Sequence, residues 1–150
     1  MRVFIAYPFT QKMTEHGILP EEYIRELTLL KNELQKRGYK VILAHEREKW
    51  GKSILPQDVC TKLDFEDIQK ADVLIAYPGN PPSGGVHIEL GWASALQKRI
   101  ILIQKEGEHY SPLITGLSII TNVTVLIVQP DCKVDRLAEL LVEVLKRCKR

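Results

Sequence analysis

The chain has 150 residues, of which 45% are hydrophobic and 27% are charged, and its formal net charge is +2. This length and composition are typical of one globular domain with an apolar core, so we expect a single domain over residues 1–150. The small net charge argues against a nucleic-acid-binding protein. The cysteines form no CxxC or His/Cys cluster, which argues against a zinc site and against a disulfide framework.

The N-terminal residues and the apolar runs of the sequence bear on the expected location. The first residues, MRVFIAYPFT, lack the design of a signal peptide, and no apolar run reaches the length of a membrane span. We therefore expect a cytoplasmic, reducing location and no membrane association. The basic residues near the C-terminus are interpreted as cations that favour the end of a last helix: Lys146, Arg147, Lys149 and Arg150.

Short apolar segments alternate with helical patterns along the chain. Strands are predicted at 3–7, 41–44, 73–77, 99–104 and 123–128, and helices at 20–37, 56–71, from 86 onward and at 131–149. Residues 106–118 predict a long connection with at most a short helix. This alternation predicts an α/β fold, a parallel sheet with helices on both faces. Right-handed crossovers favour a flavodoxin-like (Rossmann-like) five-stranded order.

Ligands in such folds bind at the carboxyl ends of the strands. The loops after Tyr7, Ala44, Tyr77 and Gln104 are expected to open on that edge. The irregular segment 45–55 is predicted to be a loop on the substrate side.

A loop rich in glycine and proline follows the third strand and leads into a helix. It contains Ser83, Gly84 and Gly85, and such a corner is typical of phosphate or sugar binding. The loop matches neither a Walker A motif nor GxGxxG, which argues against nucleoside triphosphates and dinucleotides.

Two acidic residues are candidates for catalysis. Glu89 lies on the first turns of the helix after this loop, and Asp64 lies on the helix that precedes the third strand. Paired carboxylates can cleave a glycosidic bond, one as nucleophile and the other as acid or base. From spacing alone, ordinary charges on a helix surface are favoured over catalysis for both residues.

Other polar and aromatic side chains on these loops have less specific interpretations. His45, His87 and His109 each could act as a base, but the sequence shows no partner for them, and a structural role is favoured. Tyr7, Phe9 and Trp50 are compatible with stacking on a nucleobase and equally with a place in the core.

Three segments carry a resemblance to a known family: VFIAYPF at 3–9, DFEDIQKADVLIAY at 64–77 and SGGVHIELGWASALQKRIILI at 83–103. In these segments the chain resembles the nucleoside 2-deoxyribosyltransferase superfamily. The likeness includes the 2'-deoxynucleoside 5'-phosphate N-hydrolase branch and the related CMP hydrolases. The match is specific to the family only in combination: Asp64, the Ala71-Asp72 pair followed by an apolar strand, and the pattern G-V-x-x-E-L-G-x-A. Each of these features alone is common.

The resemblance implies a role for several residues. Glu89 would be the nucleophile that forms a glycosyl-enzyme intermediate, and Asp64 would handle the proton of the base or of water. Ser83 and Gly85 would contact a phosphate. The first segment would add further substrate contacts, from Phe4, Tyr7, Pro8 and Phe9. The resemblance implies neither a cofactor nor a metal.

A fourth segment, SPLITG at 111–116, is similar to one through which the N-hydrolases send a serine into the neighbouring subunit's phosphate site. It implies that Ser111 acts across an interface, in a homo-oligomer with shared active sites. Transferases of the family use an asparagine near the C-terminus instead, and Asn122 lies in roughly that region. A 5'-monophosphate substrate is favoured because a Ser/Gly loop supplies donors that a free hydroxyl does not require.

One position departs from the family pattern. Phe4 stands where many members carry a tyrosine whose hydroxyl lies near the sugar. Loss of that hydroxyl would leave room for a ribose 2'-OH, so we expect ribonucleotides such as CMP to be accepted.

The sequence therefore predicts an N-glycosidase that hydrolyses the base–sugar bond of a nucleoside 5'-monophosphate. One alternative is a transferase that exchanges bases between deoxynucleosides. Another is a nucleotide-binding module without turnover, because a fold can persist without its activity. A flavin-binding protein is a weaker alternative.

Overall fold

A computed structural model describes residues 1–148 of the chain. The strands are β1 (Arg2–Ala6), β2 (Lys40–Leu43), β3 (Val73–Ala76), β4 (Arg99–Lys105) and β5 (Val123–Val128). The helices are α1 (Glu21–Lys36), α2 (Gln57–Lys70), α3 (Gly84–Ala95), the short α4 (Pro112–Thr115) and α5 (Val134–Arg147). The predicted elements are all present, and none of their predicted ends is more than three residues from the observed one. Lys149 and Arg150, which we assigned to the basic C-terminal end, lie outside the described residues.

The sheet is parallel throughout and has the strand order β2-β1-β3-β4-β5. This order confirms the predicted flavodoxin-like fold. The chain crosses to opposite sides of β1 and β3, so the gap between the ends of these strands is the topological switch point. Val3 pairs in register with both Val41 and Val73, which aligns the carboxyl ends of the three strands at one edge.

Alternation along the strands builds a core on each face of the sheet. In β1, Val3 and Ile5 pack with α1 and α5, whereas Phe4 and Ala6 pack with α2 and α3. Both faces of the sheet are thereby covered, which explains why its central strands read as continuous apolar runs. Within residues 1–148, none of the helices combines the length and the apolar composition that crossing a bilayer requires.

Two loops at the carboxyl edge join into one wall. The backbone N–H of Leu19 donates to the carbonyl of Trp50 at 3.0 Å. Gly51 has a φ of +98°, and a Cβ at this position would lie 2.7 Å from the Gly17 carbonyl oxygen. Glycine is thus required for the close approach of the two loops, which together with 3-10 turns at Thr10–Lys12 and Ala44–Glu46 bound the space above the sheet.

Candidate active site

A cavity of about 480 Å³ lies at the carboxyl edge, between this wall, α2 and the beginning of α3. Its volume falls in the range of small-molecule sites. Most of the residues predicted from the sequence to form the site line it, and they come from separate segments of the chain: Tyr7, Phe9, Asp64, Ser83, Gly85 and Glu89.

The beginning of α3 forms one end of the cavity. Ser83 is buried and caps the helix, because its hydroxyl accepts a hydrogen bond from the backbone N–H of Val86 at 3.4 Å. The preceding loop passes close to β1: Gly79 has a φ of +88°, and a Cβ there would lie 2.8 Å from Cγ of Pro8. The first turn of α3 therefore presents backbone amides and the positive end of the helix dipole beside Ser83 and Gly85.

Glu89 lies on the second turn of α3 and faces the same cavity. Burial raises the pKa of its carboxyl well above the usual range, and the negative charge of Asp64 raises it further. The charge of Arg47 acts in the opposite direction. A carboxyl with a raised pKa in a cavity is a recognised sign of a functional site, although ion-pair networks also produce it.

Asp64 reaches the cavity from α2 and is paired with an arginine. Arg47 donates from Nη2 to Oδ1 of Asp64 and from Nη1 to Oδ2 of Asp67. Burial raises the pKa of Asp64, and Arg47 opposes this shift. Arg47 was not predicted to be a site residue. It lies in the segment 45–55, which we expected on the substrate side, but no motif links it to residues of α2.

His45 lies in the wall with 5% of its surface exposed. Its Nε2 is 3.2 Å from the carbonyl oxygen of Pro8, which can only accept, so Nε2 carries the proton. Burial lowers the pKa of His45 to about 4, against the opposing effect of the Pro8 and Tyr7 carbonyls. The ring is therefore neutral near pH 7 and packs edge-on against Phe9, with ring centroids 5.1 Å apart.

The aromatic residues divide between the cavity and the core. Tyr7 and Phe9 line the cavity, whereas Trp50 packs against the core behind the wall. The ring centroid of Tyr7 lies 5.6 Å from that of Tyr77, so the ends of β1 and β3 meet there. Burial raises the pKa of the Tyr7 hydroxyl, which stays a hydrogen-bond donor.

Phe4 and Pro8, which we expected to contact substrate, do not line the cavity, and Ser111, which we expected to act in the partner's cavity, does not line its own. Phe4 is fully buried and packs in the core between the sheet and α2 and α3. Pro8 is buried, and its carbonyl accepts from Tyr23 at 2.7 Å and from His45. Ser111 lies before α4, outside its own protomer's cavity. In this structure Phe4 and Pro8 support the cavity from behind its lining, and their contacts with substrate, including the room for a ribose 2'-OH at Phe4, stay predictions.

The charged residues that line the cavity are acidic. Glu48, Asp64 and Glu89 are present, and no lysine or arginine is found among the described residues that line it. Positive potential at this site comes from the first turn of α3 and from Arg47 behind Asp64. Within residues 1–148, no group of three or more His, Cys, Asp or Glu side chains is arranged to hold a metal ion.

Solved structures similar to this chain include two at about one-third identity. A CMP N-glycosidase of Clostridium botulinum, BcmB, is 33% identical, with a TM-score of 0.70; the match covers 95% of this chain and 99% of that one. The solution structure of BlsM is 34% identical, with a TM-score of 0.76, over 99% of this chain and 93% of that one. Both matches span nearly the whole of each protein.

A more distant structure has the same fold. A 2-deoxyribosyltransferase of Bacillus psychrosaccharolyticus is 21% identical, with a TM-score of 0.62, over 84% of this chain and 85% of that one. At this identity the likeness concerns the fold alone. No protein-family model matches the chain, and no curated protein matches it.

Proposed function

The chain belongs to the nucleoside 2-deoxyribosyltransferase superfamily, and we propose that it is an N-glycosidase acting on a nucleoside 5'-monophosphate. The observation that carries this proposal is the convergence of Glu89 and Asp64, from two different helices, on one cavity that also contains the beginning of α3. A similar protein, BcmB, is a CMP N-glycosidase, which favours a monophosphate of this kind as substrate.

The reaction would proceed in two displacements. The Glu89 carboxylate attacks the anomeric carbon, the bond from that carbon to the base nitrogen breaks, and the leaving base takes a proton from the carboxyl of Asp64. Water then attacks the anomeric carbon, gives a proton to Asp64 and releases Glu89 together with the sugar phosphate. Asp64 suits the proton-transfer role because it lines the same cavity and acts electrostatically on Glu89.

The phosphate would be held by neutral donors instead of lysine or arginine. Ser83 and Gly85 lie at the first turn of α3, where backbone N–H groups and the helix dipole favour an anion. Such a site is incomplete in one protomer, because the lining carboxylates repel a dianion. Ser111 of a second copy would add a hydroxyl donor.

An apolar surface beside Ser111 supports assembly with a second copy. Leu113 and Ile119 have 83% and 90% of their surfaces exposed, and Ile127 on the edge strand β5 has 65% exposed. Large apolar side chains grouped in this way are typical of an interface. We propose a homo-oligomer in which this surface is covered and Ser111 enters the partner's cavity.

The test incubates the protein with a panel of ribo- and deoxyribonucleoside monophosphates and the matching nucleosides, and chromatography measures the free base that is released. Glu89→Gln removes the proposed nucleophile with little change in size. Glu66→Gln is its matched control, since Glu66 lies on α2 between Lys62 and Lys70, which are 3.9 and 3.7 Å away, and does not line the cavity. We expect base release from monophosphates with the native protein and with Glu66→Gln, and none with Glu89→Gln.

A second candidate function is base exchange between nucleosides. The acidic lining of the cavity favours it, because a neutral nucleoside avoids repulsion from Glu48 and the two candidate catalytic carboxylates. Turnover of nucleosides that requires an added free base would identify a transferase. Thermal stabilisation by nucleotide without any release of base would identify a binding module and reject both enzymatic proposals.

A further inference from the structure

We propose that Arg47 is a positioning residue of this active site. Its guanidinium fixes the orientation of the Asp64 carboxyl group and supplies the positive charge that favours the ionised form of Glu89. This inference rests on the function proposed above, in which Glu89 must be ionised to attack and Asp64 must be aimed at a proton. Arg47 itself does not line the cavity, so it would act through Asp64.

The geometry is that of a fork between two carboxylates. Nη2 of Arg47 donates to Asp64 and Nη1 donates to Asp67, one turn farther along the same face of α2. All three side chains are about three-quarters buried, with exposed fractions of 26%, 23% and 23%. A planar guanidinium can bridge two acceptors in this way, whereas a lysine ammonium cannot fix both orientations.

The backbone on both sides of Arg47 is held in place as well. Glu46 accepts from Lys31 of α1 at 2.8 and 2.6 Å, and Glu48 accepts from the backbone N–H of Leu55 at 3.1 Å. The arginine therefore projects from a fixed segment toward α2. Arg47 thus connects the wall of the cavity to α2, the helix that carries Asp64.

The charge balance around Glu89 depends on this one guanidinium. The other titratable or charged residues that line the cavity or pair with its carboxylates come from α2, the wall and the end of β1: Cys60, Asp64, Asp67, His45, Arg47, Glu48 and Tyr7. Among them Arg47 is the permanent cation, while His45 is held neutral by burial. Its removal would leave the acidic groups without a counter-charge, and ionising Glu89 would then be harder.

The first experiment compares kcat, KM and the pH profile of kcat in four variants. Arg47→Gln removes the charge and the fork, and we expect kcat to fall by about a hundredfold, more than KM rises. The acidic limb of the profile should move to higher pH. Arg47→Lys keeps the charge, so it should restore the position of that limb but only part of kcat. Asp67→Asn removes one anchor of the fork and should cause a smaller loss.

The matched control is Lys62→Gln, which removes an exposed cation from the same helix. Its kcat and pH profile should equal those of the native protein. A loss in Arg47→Gln that lies wholly in KM would overturn the proposal, because it would mean that Arg47 binds substrate directly. So would an unshifted pH limb. If Arg47→Gln fails to fold, Asp67→Asn decides: unchanged kcat in that folded variant rejects the positioning role.

A second measurement does not depend on turnover. Carboxyl ¹³C resonances are titrated in the native protein and in Arg47→Gln, with the Glu89 signal assigned by its loss in Glu89→Gln. We expect Glu89 to titrate at higher pH without Arg47. An identical Glu89 curve overturns the inference. A shifted curve in a protein that releases no base from any substrate supports the charge role and rejects the proposed function alone.

Discussion

The two faces of the sheet carry helices of different character. α1 and α5 cover one face, and each buries a row of apolar residues, such as Leu30 and Leu141, while its other side is polar. α2 and α3 cover the opposite face with a less regular pattern. Partly buried acids lie on α2, and α3 leaves Ile88 with 54% of its surface exposed.

The difference follows from what each layer has to satisfy. α1 and α5 pack against each other and against the sheet, so one apolar face along each helix is sufficient for packing. α2 and α3 pack against the sheet below and line a cavity above, which requires charged and small residues at positions that packing alone would fill with leucine. Departures from a regular helical pattern thus mark the functional layer of this molecule.

The largest expected effect separates activity from stability at Glu89. Glu89→Gln should lower base release by roughly a thousandfold or more, because it removes the nucleophile. It should also raise the melting temperature at neutral pH. The pKa of Glu89 is higher in the folded than in the unfolded state, so its contribution favours folding below the unfolded pKa and is lost as pH rises through the folded value.

Thermal unfolding of the native protein and Glu89→Gln between pH 4 and 8 measures this effect. The difference in melting temperature should be largest at the alkaline end and shrink toward pH 4. An equal difference at all pH values would contradict a raised pKa at Glu89. Glu66→Gln should show neither the loss of activity nor the pH-dependent gain.

A pair of leucines tests the division between the layers. Leu90 in α3 and Leu141 in α5 are both fully buried, and truncation of either to alanine should cost about 2–5 kcal/mol of stability. Leu90→Ala should also lower kcat at a temperature where the variant is folded, because Leu90 adjoins Glu89 and seats its helix. Urea unfolding and kcat for both variants measure these effects. A loss of kcat in Leu141→Ala would show that the layers are not separable.

His45 should make the free energy of unfolding decrease as the pH falls from 7 to 4. Its pKa is about 4 in the folded state against 6.5 for an ordinary histidine, so the folded protein should lose about 3 kcal/mol as pH falls through this window. Urea unfolding from pH 4 to 7 in the Glu89→Gln background isolates this effect from that of Glu89. His45→Gln should abolish the slope, whereas His109→Gln, at an exposed position, should retain it.

The smallest expected effect concerns two aromatic residues, Phe4 within β1 and Tyr7 immediately after it. Tyr7→Phe removes a hydroxyl whose electrostatic neighbours are Tyr77, Glu26 and Cys132 on the α1 and α5 side of the sheet, so kcat/KM and the ratio of ribo- to deoxyribonucleotide turnover should change by no more than about twofold. Phe4→Tyr should instead cost about 1–3 kcal/mol by burying a hydroxyl, and leave the ratio unchanged. Turnover of CMP and dCMP and urea unfolding measure both variants. A changed ratio in Phe4→Tyr would support the predicted place of Phe4 at the sugar site.

Much of the molecule could be predicted from local pattern. Apolar segments of strand length, separated by helical repeats, determine a parallel α/β sheet because few right-handed connections of these elements exist. The Gly-rich corner with Ser83 and Glu89 was also predictable, since a strand, loop and helix adjacent in sequence must be adjacent in space. The family resemblance added roles for Glu89 and Asp64, which the structure places in one cavity.

The rest was decided by tertiary structure. The pairing of Arg47 with Asp64 joins a loop to a helix that follows it, and the neutral state of His45 depends on how far the wall buries its ring. Phe4 shows the same limit, because alternation gives the face of a sheet but not the height of a side chain beneath a cavity. Periodicity encodes which side of an element is apolar, whereas distances between side chains of different elements, and hence their charges, arise only when the layers pack.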